Sequence, residues 1–337
     1  MLQPLAPATV RPSPIPLHAV VDARGARLHS NSAFVRVRAG MYARKADWTP
    51  LAPWKRYLAR VHAFARGHPT AIFSHESAAA LLGMPVFGEP RDIHLYDPGR
   101  ARSRRFGDVC VHTSEDPRTV ERREGIFMTS AVDTAVDLMR ALPPALGLAV
   151  ADAAVSPAQG GHATVLELMR TAGAQVNRRG VSRLALLLPI VDARSESPGE
   201  SVSRAVIIWS GFEPPELQVV YRSEAHTDRA DFDWPSVRAL GESDGYEKYG
   251  AATTEVAVKQ IIAEKRREDR LRRQCATFRR WDWAAAMAVA PLVERLVEMG
   301  IPRVASPRDA LLATIGRNPR SLTPVRNHKR VETTRKG

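Results

Sequence analysis

Several features that define common classes of protein are scarce or absent in this sequence. Only two cysteines, Cys110 and Cys275, occur in 337 residues; they make neither a disulfide framework nor a metal cluster and fit a reducing cytosol. No Cys/His spacing typical of zinc sites occurs, and no glycine-rich phosphate loop follows a predicted strand. The longest wholly apolar runs, such as residues 184–191, are too short to cross a bilayer. We therefore expect a cytoplasmic protein without a signal peptide or membrane span.

The charge balance points to a class of partner. The formal net charge is +13, which favours a polyanionic partner, with nucleic acid ahead of an acidic membrane. The alternative is a solvated basic surface, of the kind that a GC-rich genome produces by favouring Arg over Lys. About half of the excess lies in residues 301–337, which weakens the argument for the folded part.

Proline content and hydrophobic periodicity divide the chain into four segments. Residues 1–29 are proline-rich and lack periodicity, so we predict that they are disordered. Residues 30–192 read as a first domain of helices and short strands, and residues 193–299 as a second domain. Residues 300–337 are basic, contain several prolines, and are predicted to be a disordered tail.

The first domain offers two patterns of interest. Residues 34–42 alternate apolar and basic side chains around Gly40, which predicts a β-hairpin. Arg36 and Arg38 could touch phosphate, as the wing of a winged helix does; a half-buried hairpin with a solvated arginine face explains the pattern equally well. His75 stands beside Glu76 at a predicted helix start, where a histidine is more often structural than catalytic.

The second domain contains two predicted strands with paired acids. The first strand carries Asp231 and Asp233, and the second carries Glu242 and Asp244. A loop of two or four residues places Asp231 opposite Leu240 and diagonal to Glu242, so that Asp231, Glu242 and Asp244 converge on one face. A three-residue loop scatters them. Clustered acids raise one another's pKa values, which is costly unless a cation lies among them.

The element order around these strands suits one chemistry. A predicted helix that carries Glu200 precedes them, and a long basic helix follows. Acids on a helix and on central strands suit metal-assisted hydrolysis of phosphodiesters, because Mg²⁺ takes one or two carboxylates plus substrate phosphate oxygens.

Short motifs in the second domain resemble a known family. SPGES at 197–201, RADFDWP at 229–235, ESDGYEK at 242–248 and EKRREDR at 264–270 resemble the PD-(D/E)XK (restriction-endonuclease-like) nucleases, in their very-short-patch-repair-endonuclease-like branch. The resemblance spans about residues 195–285. It implies an α/β domain with a central mixed sheet and a Mg²⁺ or Mn²⁺ ion. Glu200, Asp231 and Glu242 would be the ligands, and Asp244 would support them.

One departure from that family concerns its lysine. The superfamily places a lysine two residues after the last acid, where this chain has Asp244. Lys248 or Lys265 would then supply the charge that stabilises the phosphorus-centred transition state. If neither reaches the site, the domain binds DNA without cutting it. Arg229, Lys265 and Arg266 are the candidate nucleic-acid contacts of this domain.

The first domain resembles a second family. VRVRAGMY at 35–42, SHESAAALLGMP at 74–85 and GIFMTSAVDTAVD at 125–137 resemble the AbiEi-type antitoxins of type IV toxin–antitoxin systems. That resemblance implies a DNA-binding autorepressor with a cognate toxin as its partner.

Two hypotheses follow for an α+β chain of this organisation. The first is a metal-dependent DNA endonuclease that uses Glu200, Asp231 and Glu242. The second is a DNA-binding regulator or antitoxin whose nuclease fold is vestigial. The intact acids favour the first hypothesis, and the displaced lysine favours the second.

Overall fold

The computed structural model describes residues 9–20, 28–223, 226–244 and 254–323. The elements up to residue 142 are β1 (His18–Ala19), β2 (Phe34–Arg38), β3 (Met41–Arg44), α1 (Lys45–Trp48), α2 (Pro53–Gly67), β4 (Ile72–Phe73), α3 (His75–Leu82), β5 (Ile93–Tyr96), β6 (Arg104–Phe106), β7 (Val109–His112), β8 (Val120–Arg123), β9 (Ile126–Thr129) and α4 (Ala131–Ala141). The remaining elements are α5 (Pro144–Val155), α6 (Val165–Ala174), α7 (Val181–Leu187), α8 (Pro198–Trp209), β10 (Glu216–Ser223), β11 (His226–Trp234), β12 (Ala239–Asp244), α9 (Thr254–Arg272), β13 (Thr277–Asp282), α10 (Trp283–Ala288), α11 (Ala290–Glu298) and α12 (Asp309–Leu312). The predicted α+β class is confirmed.

The described residues form two compact units. The first unit comprises residues up to 142 together with 162–189 and 318–323, and the second comprises 143–161 and 190–317. One division falls between residues 189 and 190, close to the predicted boundary near residue 192. Residues 143–161 also belong to the second unit, because α5 packs on α8. A buried ion pair between Asp152 and Arg204 joins these two helices. Among the described residues, no helix is both long and apolar enough to span a membrane.

The first unit contains two sheets. Its six-stranded sheet has the order β6-β7-β5-β4-β9-β8, with parallel pairing of β5 with β7 and of β4 with β9. A smaller sheet has the order β1-β3-β2. The predicted hairpin of residues 34–42 is confirmed as β2 and β3. Its turn contains Gly40 at φ +74°, a conformation that glycine adopts without strain.

Local sequence signals explain where several helices of the first unit begin and end. Pro53 occupies the first turn of α2, where its fixed φ suits a helix and its missing N–H is not needed. Gly83 ends α3 at φ +78°. The Ser130 hydroxyl accepts the backbone N–H of Asp133 at the start of α4. Tyr57, Phe73 and other buried side chains of α2, α3 and the strands form the core.

The second unit is built around a four-stranded mixed sheet. The order is β10-β11-β12-β13, antiparallel except for the parallel pair β12 and β13. The largest buried side chains are Trp209, Trp234 and Trp281, and the Phe232 ring stacks on Trp281 at 5.4 Å between centroids. Gly241 lies against that ring, since an added Cβ would fall 2.4 Å from it.

Both predicted disordered segments contain ordered residues. Residues 9–20 bury Val10, Ile15 and Leu17 and supply β1. Residues 300–323 bury Ile301 and Ile315, and their backbone forms hydrogen bonds within each unit. Proline and basic content misled the prediction, because isolated apolar side chains and backbone hydrogen bonds are enough to fix these segments. Residues 1–8, 21–27 and 324–337 lie outside the described chain.

Candidate functional site

Glu200 is held at the start of α8. Ser197 caps the helix, and its hydroxyl accepts the Glu200 N–H at 3.2 Å while donating to the Glu200 carboxylate at 2.8 Å. The backbone N–H of Glu196 donates to the other oxygen at 2.8 Å. Glu200 is only 5% exposed. Burial, and next the charge of Asp231, raise its pKa to about 7.

Asp231 lies beside this carboxylate on β11. Gln218 on β10 stands opposite Asp231, between two paired positions of the ladder. Its side-chain amide donates to Glu200 at 2.8 Å and to Asp231 at 3.4 Å. The other Asp231 oxygen accepts the backbone N–H of Ser243 on β12 at 2.9 Å. Two acids from a helix and a strand are therefore joined by one amide.

Glu242 on β12 is buried, at 2% exposure, and faces α9. Arg267 of α9 donates to its Oε1 at 2.6 Å. Arg280, its register partner on the parallel strand β13, lies 3.6 Å from its Oε2. Burial raises the pKa of Glu242 to about 7, because Arg267 only partly offsets that burial and the charge of Asp231 adds to it.

The predicted register of the acidic strands was wrong in detail. A four-residue loop joins the strands, and Trp234 pairs with Ala239, so that Asp233 rather than Asp231 faces Leu240. Asp231 and Glu242 remain within electrostatic range of each other. Asp244 does not join them, because its carboxylate accepts from Arg280 at 2.9 Å and its side chain is 43% exposed.

The predicted basic contacts fall into three groups. Arg36, Lys265 and Arg266 are exposed. Arg38 and Arg229 are engaged with carboxylates, Arg38 with Asp108 at 3.0 Å and Arg229 with Glu196. A loop of two or four residues predicts that Arg229 faces Glu242, but Arg229 is instead paired with Glu196. Lys248 lies outside the described residues.

The acids interleaved among the arginines of α9 predict a solvated arginine face, but two of these arginines contact the sheet. Arg267 binds Glu242 as described, and Arg270 donates twice to Asp228, at 2.6 Å each. Both arginines therefore hold α9 to the sheet. Asp228 of β11 and Glu242 of β12 both face α9, which the periodicity of the helix alone does not reveal.

The arrangement favours an oxygen-ligated cation. Two buried carboxyl groups with pKa values near 7 and a third carboxylate supply hard oxygen donors, the ligands that Mg²⁺ and Mn²⁺ prefer. A cation would favour ionisation of Glu200 and Glu242, which burial opposes. The donor set therefore fits the ion that the family resemblance implies.

A second polar centre lies in the first unit. His94 on β5 is in register with Cys110 on β7, and His112 follows two residues later. One ligand atom from each lies within 4.8 Å of the others, and His94 Nδ1 is 2.8 Å from His112 Nε2. Burial lowers the pKa of His94 to about 3 and that of His112 to about 2. These are groups that could ligate a borderline-soft metal ion, contrary to the expectation that neither cysteine belongs to a metal cluster.

Comparisons with known proteins place the chain among bacterial relatives. It is 33% identical over 218 residues to the uncharacterized proteins MT2308 and Rv2248 of Mycobacterium tuberculosis strains CDC 1551 and H37Rv, covering 64% of this chain and 76% of each relative. The chain belongs to their family. The matched length exceeds either unit, so the likeness spans parts of both. No family model and no solved structure matches the chain.

The sequence did not single out Gln218, Arg267 and Arg280 as members of the site around Glu200, Asp231 and Glu242. Gln218 joins Glu200 to Asp231, and the two arginines neutralise Glu242. A signal for Arg280 exists in retrospect, since a parallel register aligns it with Glu242. No local signal identifies Gln218, which adopts φ +56° within β10, a region uncommon outside glycine.

Proposed function

We propose that the second unit is a divalent-cation-dependent DNA endonuclease that acts in the cytoplasm. The carrying observation is the convergence of Glu200 and Asp231 on the Gln218 amide, with the buried Glu242 in electrostatic range. The elements that bring these acids together are a helix followed by the central strands of a mixed sheet. That order agrees with the PD-(D/E)XK resemblance of the motifs.

The electrostatics support a cation at this place. Glu200 and Glu242 are buried, and their pKa values are raised to about 7. A nearby positive charge would stabilise their ionised forms. Mg²⁺ or Mn²⁺ would be held by Glu200, Asp231 and Glu242. When bound, such an ion neutralises charge on a phosphodiester and lowers the pKa of a coordinated water molecule. Ser197, Gln218 and Arg267 hold and orient the acids through hydrogen bonds.

Some basic residues near the acids pair with carboxylates of the protein, and others are exposed and available to DNA. Arg267 and Arg280 form ion pairs with carboxylates of the protein. They therefore set the charge around the acids and are poorly placed to contact a DNA phosphate. Lys265 and Arg266 on α9 are exposed, and long basic side chains of this kind contact DNA phosphates without regard to sequence. The net charge of +13 supports the same partner.

A second candidate function rests on Asp244. The superfamily's lysine position holds this acid, which is bound to Arg280, so the described residues provide no lysine at that position. A DNA-binding regulator or antitoxin with a vestigial nuclease fold, and a toxin protein as its partner, would need no such lysine. The exposed Arg36 of the β2–β3 hairpin would then contribute to DNA contact.

Nicking of supercoiled plasmid by the full chain in Mg²⁺ or Mn²⁺ tests the proposal. We expect Asp231→Asn to reduce nicking by about 10²-fold or more while DNA binding, measured by fluorescence anisotropy, is retained. Asp269→Asn is the matched control, because Asp269 is an exposed acid of α9. DNA binding without metal-dependent nicking by the wild type would favour the regulator and reject the endonuclease.

A further inference from the structure

A polar cavity lies in the first unit, apart from the acids discussed above. Its volume is about 550 Å³, within the range of about 300–1,000 Å³ typical of small-molecule sites. The wall contains residues of β5, β7, α4 and α7, and of the 175–180 segment and residue 320. Asp116 fixes part of this wall, since its carboxylate accepts the N–H groups of Val176 at 2.7 Å and Asn177 at 3.1 Å.

The charge of the wall is strongly positive. The charged lining residues are five arginines and one acid: Arg118, Arg140, Arg179, Arg183, Arg320 and Asp137. Arg118 is paired with Asp137 at 2.8 Å, and Arg320 with Glu76 at 2.7 Å. Within the described chain, the other three have no carboxylate at ion-pair distance. The cavity therefore has an excess of positive charge that an anion would balance.

Two side chains in the wall carry buried polar atoms without partners. Arg140 uses its Nη1 to donate to the carbonyls of Asn177 at 2.9 Å and Arg179 at 2.6 Å. Its Nε and Nη2, and both amide atoms of Gln175, are buried without a hydrogen bond in the described chain. Burial lowers the pKa of Arg140, as expected where a charge is incompletely compensated. Buried polar groups are nearly always satisfied in folded proteins, and four such atoms on two wall residues are available to a ligand.

The cavity also offers planar rings. The His75 and His112 rings stack at 3.9 Å, and both line the cavity with Tyr96. Imidazole and phenol rings supply hydrogen-bonding and stacking surfaces. His75 has φ +47°, a strained conformation for a non-glycine residue that is frequent at ligand sites.

We propose that this cavity binds a phosphomonoester of mononucleotide size. Arg140 and Gln175 hold the phosphate, because a guanidinium with two unused donors matches phosphate geometry. Arg179 and Arg183 supply further positive charge, and the stacked imidazoles and Tyr96 face the rest of the ligand. A small ligand is favoured over a DNA strand because a volume of about 550 Å³ lies within the range of small-molecule sites. All these residues belong to the first unit, so the proposal stands apart from the endonuclease.

Calorimetric titration of the full chain with AMP, inorganic phosphate and adenosine tests it. We expect AMP to bind, phosphate to compete with it more weakly, and adenosine not to bind. Arg140→Gln should weaken AMP binding by about tenfold or more. Arg170→Gln, an exposed arginine of α6 outside the wall, should leave it unchanged.

Gln175→Leu keeps the proposal testable if Arg140→Gln fails to fold. It removes two amide atoms that have no partner, so the ligand-free protein should melt at the same or a higher temperature, while the AMP-induced shift in Tm falls. Equal affinities for AMP and phosphate would reject the proposal that the cavity recognises a phosphomonoester. Tighter binding of a 5′-phosphorylated oligonucleotide than of AMP would reject the proposed mononucleotide size. Loss of binding in EDTA would assign the anion to a metal at His94, Cys110 and His112 and overturn the role of the arginines.

Discussion

The raised pKa of Glu200 makes a prediction about stability that needs no substrate. Glu200→Gln removes a charge that is buried at the start of α8 beside Asp231. We expect the variant to be more stable than the wild type at about pH 8, where burial of the ionised carboxylate opposes folding. At about pH 4 the carboxyl group is largely protonated in both the folded and the unfolded chain, so that advantage disappears.

The magnitude follows from the displacement of the pKa. A carboxyl group moved from 4.5 to about 7 destabilises the folded state by about 3 kcal/mol once the pH exceeds 7. The substitution also disturbs the acceptor of the Glu196 and Gln218 donors, which costs about 1 kcal/mol. The expected net gain is about 1–2 kcal/mol at pH 8, and a loss of about 1 kcal/mol is expected at pH 4. In the wild type this contribution is most favourable below pH 4.5 and declines as the pH rises to about 7.

Urea unfolding followed by tryptophan fluorescence measures the effect. Trp209, Trp234 and Trp281 are buried in the second unit, so part of the signal reports on the unit that contains Glu200, while Trp48 and Trp54 report on the first unit. A variant that is less stable by the same amount at both pH values would show that Glu200 is only a helix-capping residue. Millimolar Mg²⁺ should stabilise the wild type at pH 8 more than the variant, because only the wild type presents the full set of acids.

Three further predictions concern other positions. Asp152→Ala leaves the Arg204 guanidinium buried without its carboxylate, and urea unfolding should show a loss of about 3–5 kcal/mol; a loss under about 1 kcal/mol would mean that water replaces the pair. Gly241→Ala should lower stability by about 1–3 kcal/mol, because its Cβ would lie 2.4 Å from Trp281. Gly173→Ala should instead be neutral or stabilising in the same urea unfolding, because no atom lies within 4 Å of the added Cβ. Lys248→Ala should reduce plasmid nicking by about tenfold or more if this lysine serves the endonuclease.

The parts of the fold that the sequence predicted are those with local physical causes. The alternation around Gly40 predicted the β2–β3 hairpin, and Pro53, whose fixed φ suits the first turn of a helix, stands at the start of α2. Pro198, which also suits the first turn of a helix, stands at the start of α8, the helix predicted to carry Glu200. Each of these signals acts over a few residues, through turn geometry, a fixed φ or a capped N-terminus. Such signals persist in any tertiary context that tolerates the element.

The features that the sequence did not predict depend on contacts between distant segments. The apolar helix α5 reads as a continuation of the first domain, but its buried Asp152 meets Arg204 of α8. The sequence of α9 predicts solvated arginines, but Arg267 and Arg270 form ion pairs with Glu242 and Asp228 of the sheet. The strand register depends on a four-residue loop that ends in Arg238 at φ +52°. A positive φ is uncommon for a residue other than glycine, so the sequence does not predict it.

The polar centre of the first unit shows the same limit most clearly. Glu76 follows His75 in sequence, but its partner Arg320 lies 244 residues away. Burial alone opposes ionisation of Glu76, and Arg320 more than compensates, so the pKa of Glu76 is lowered. Without that arginine, burial would favour the protonated form of the Glu76 carboxyl group, and the cavity wall would lose a cation. A segment predicted to be a disordered tail therefore supplies a charge on which the electrostatics of the cavity depend.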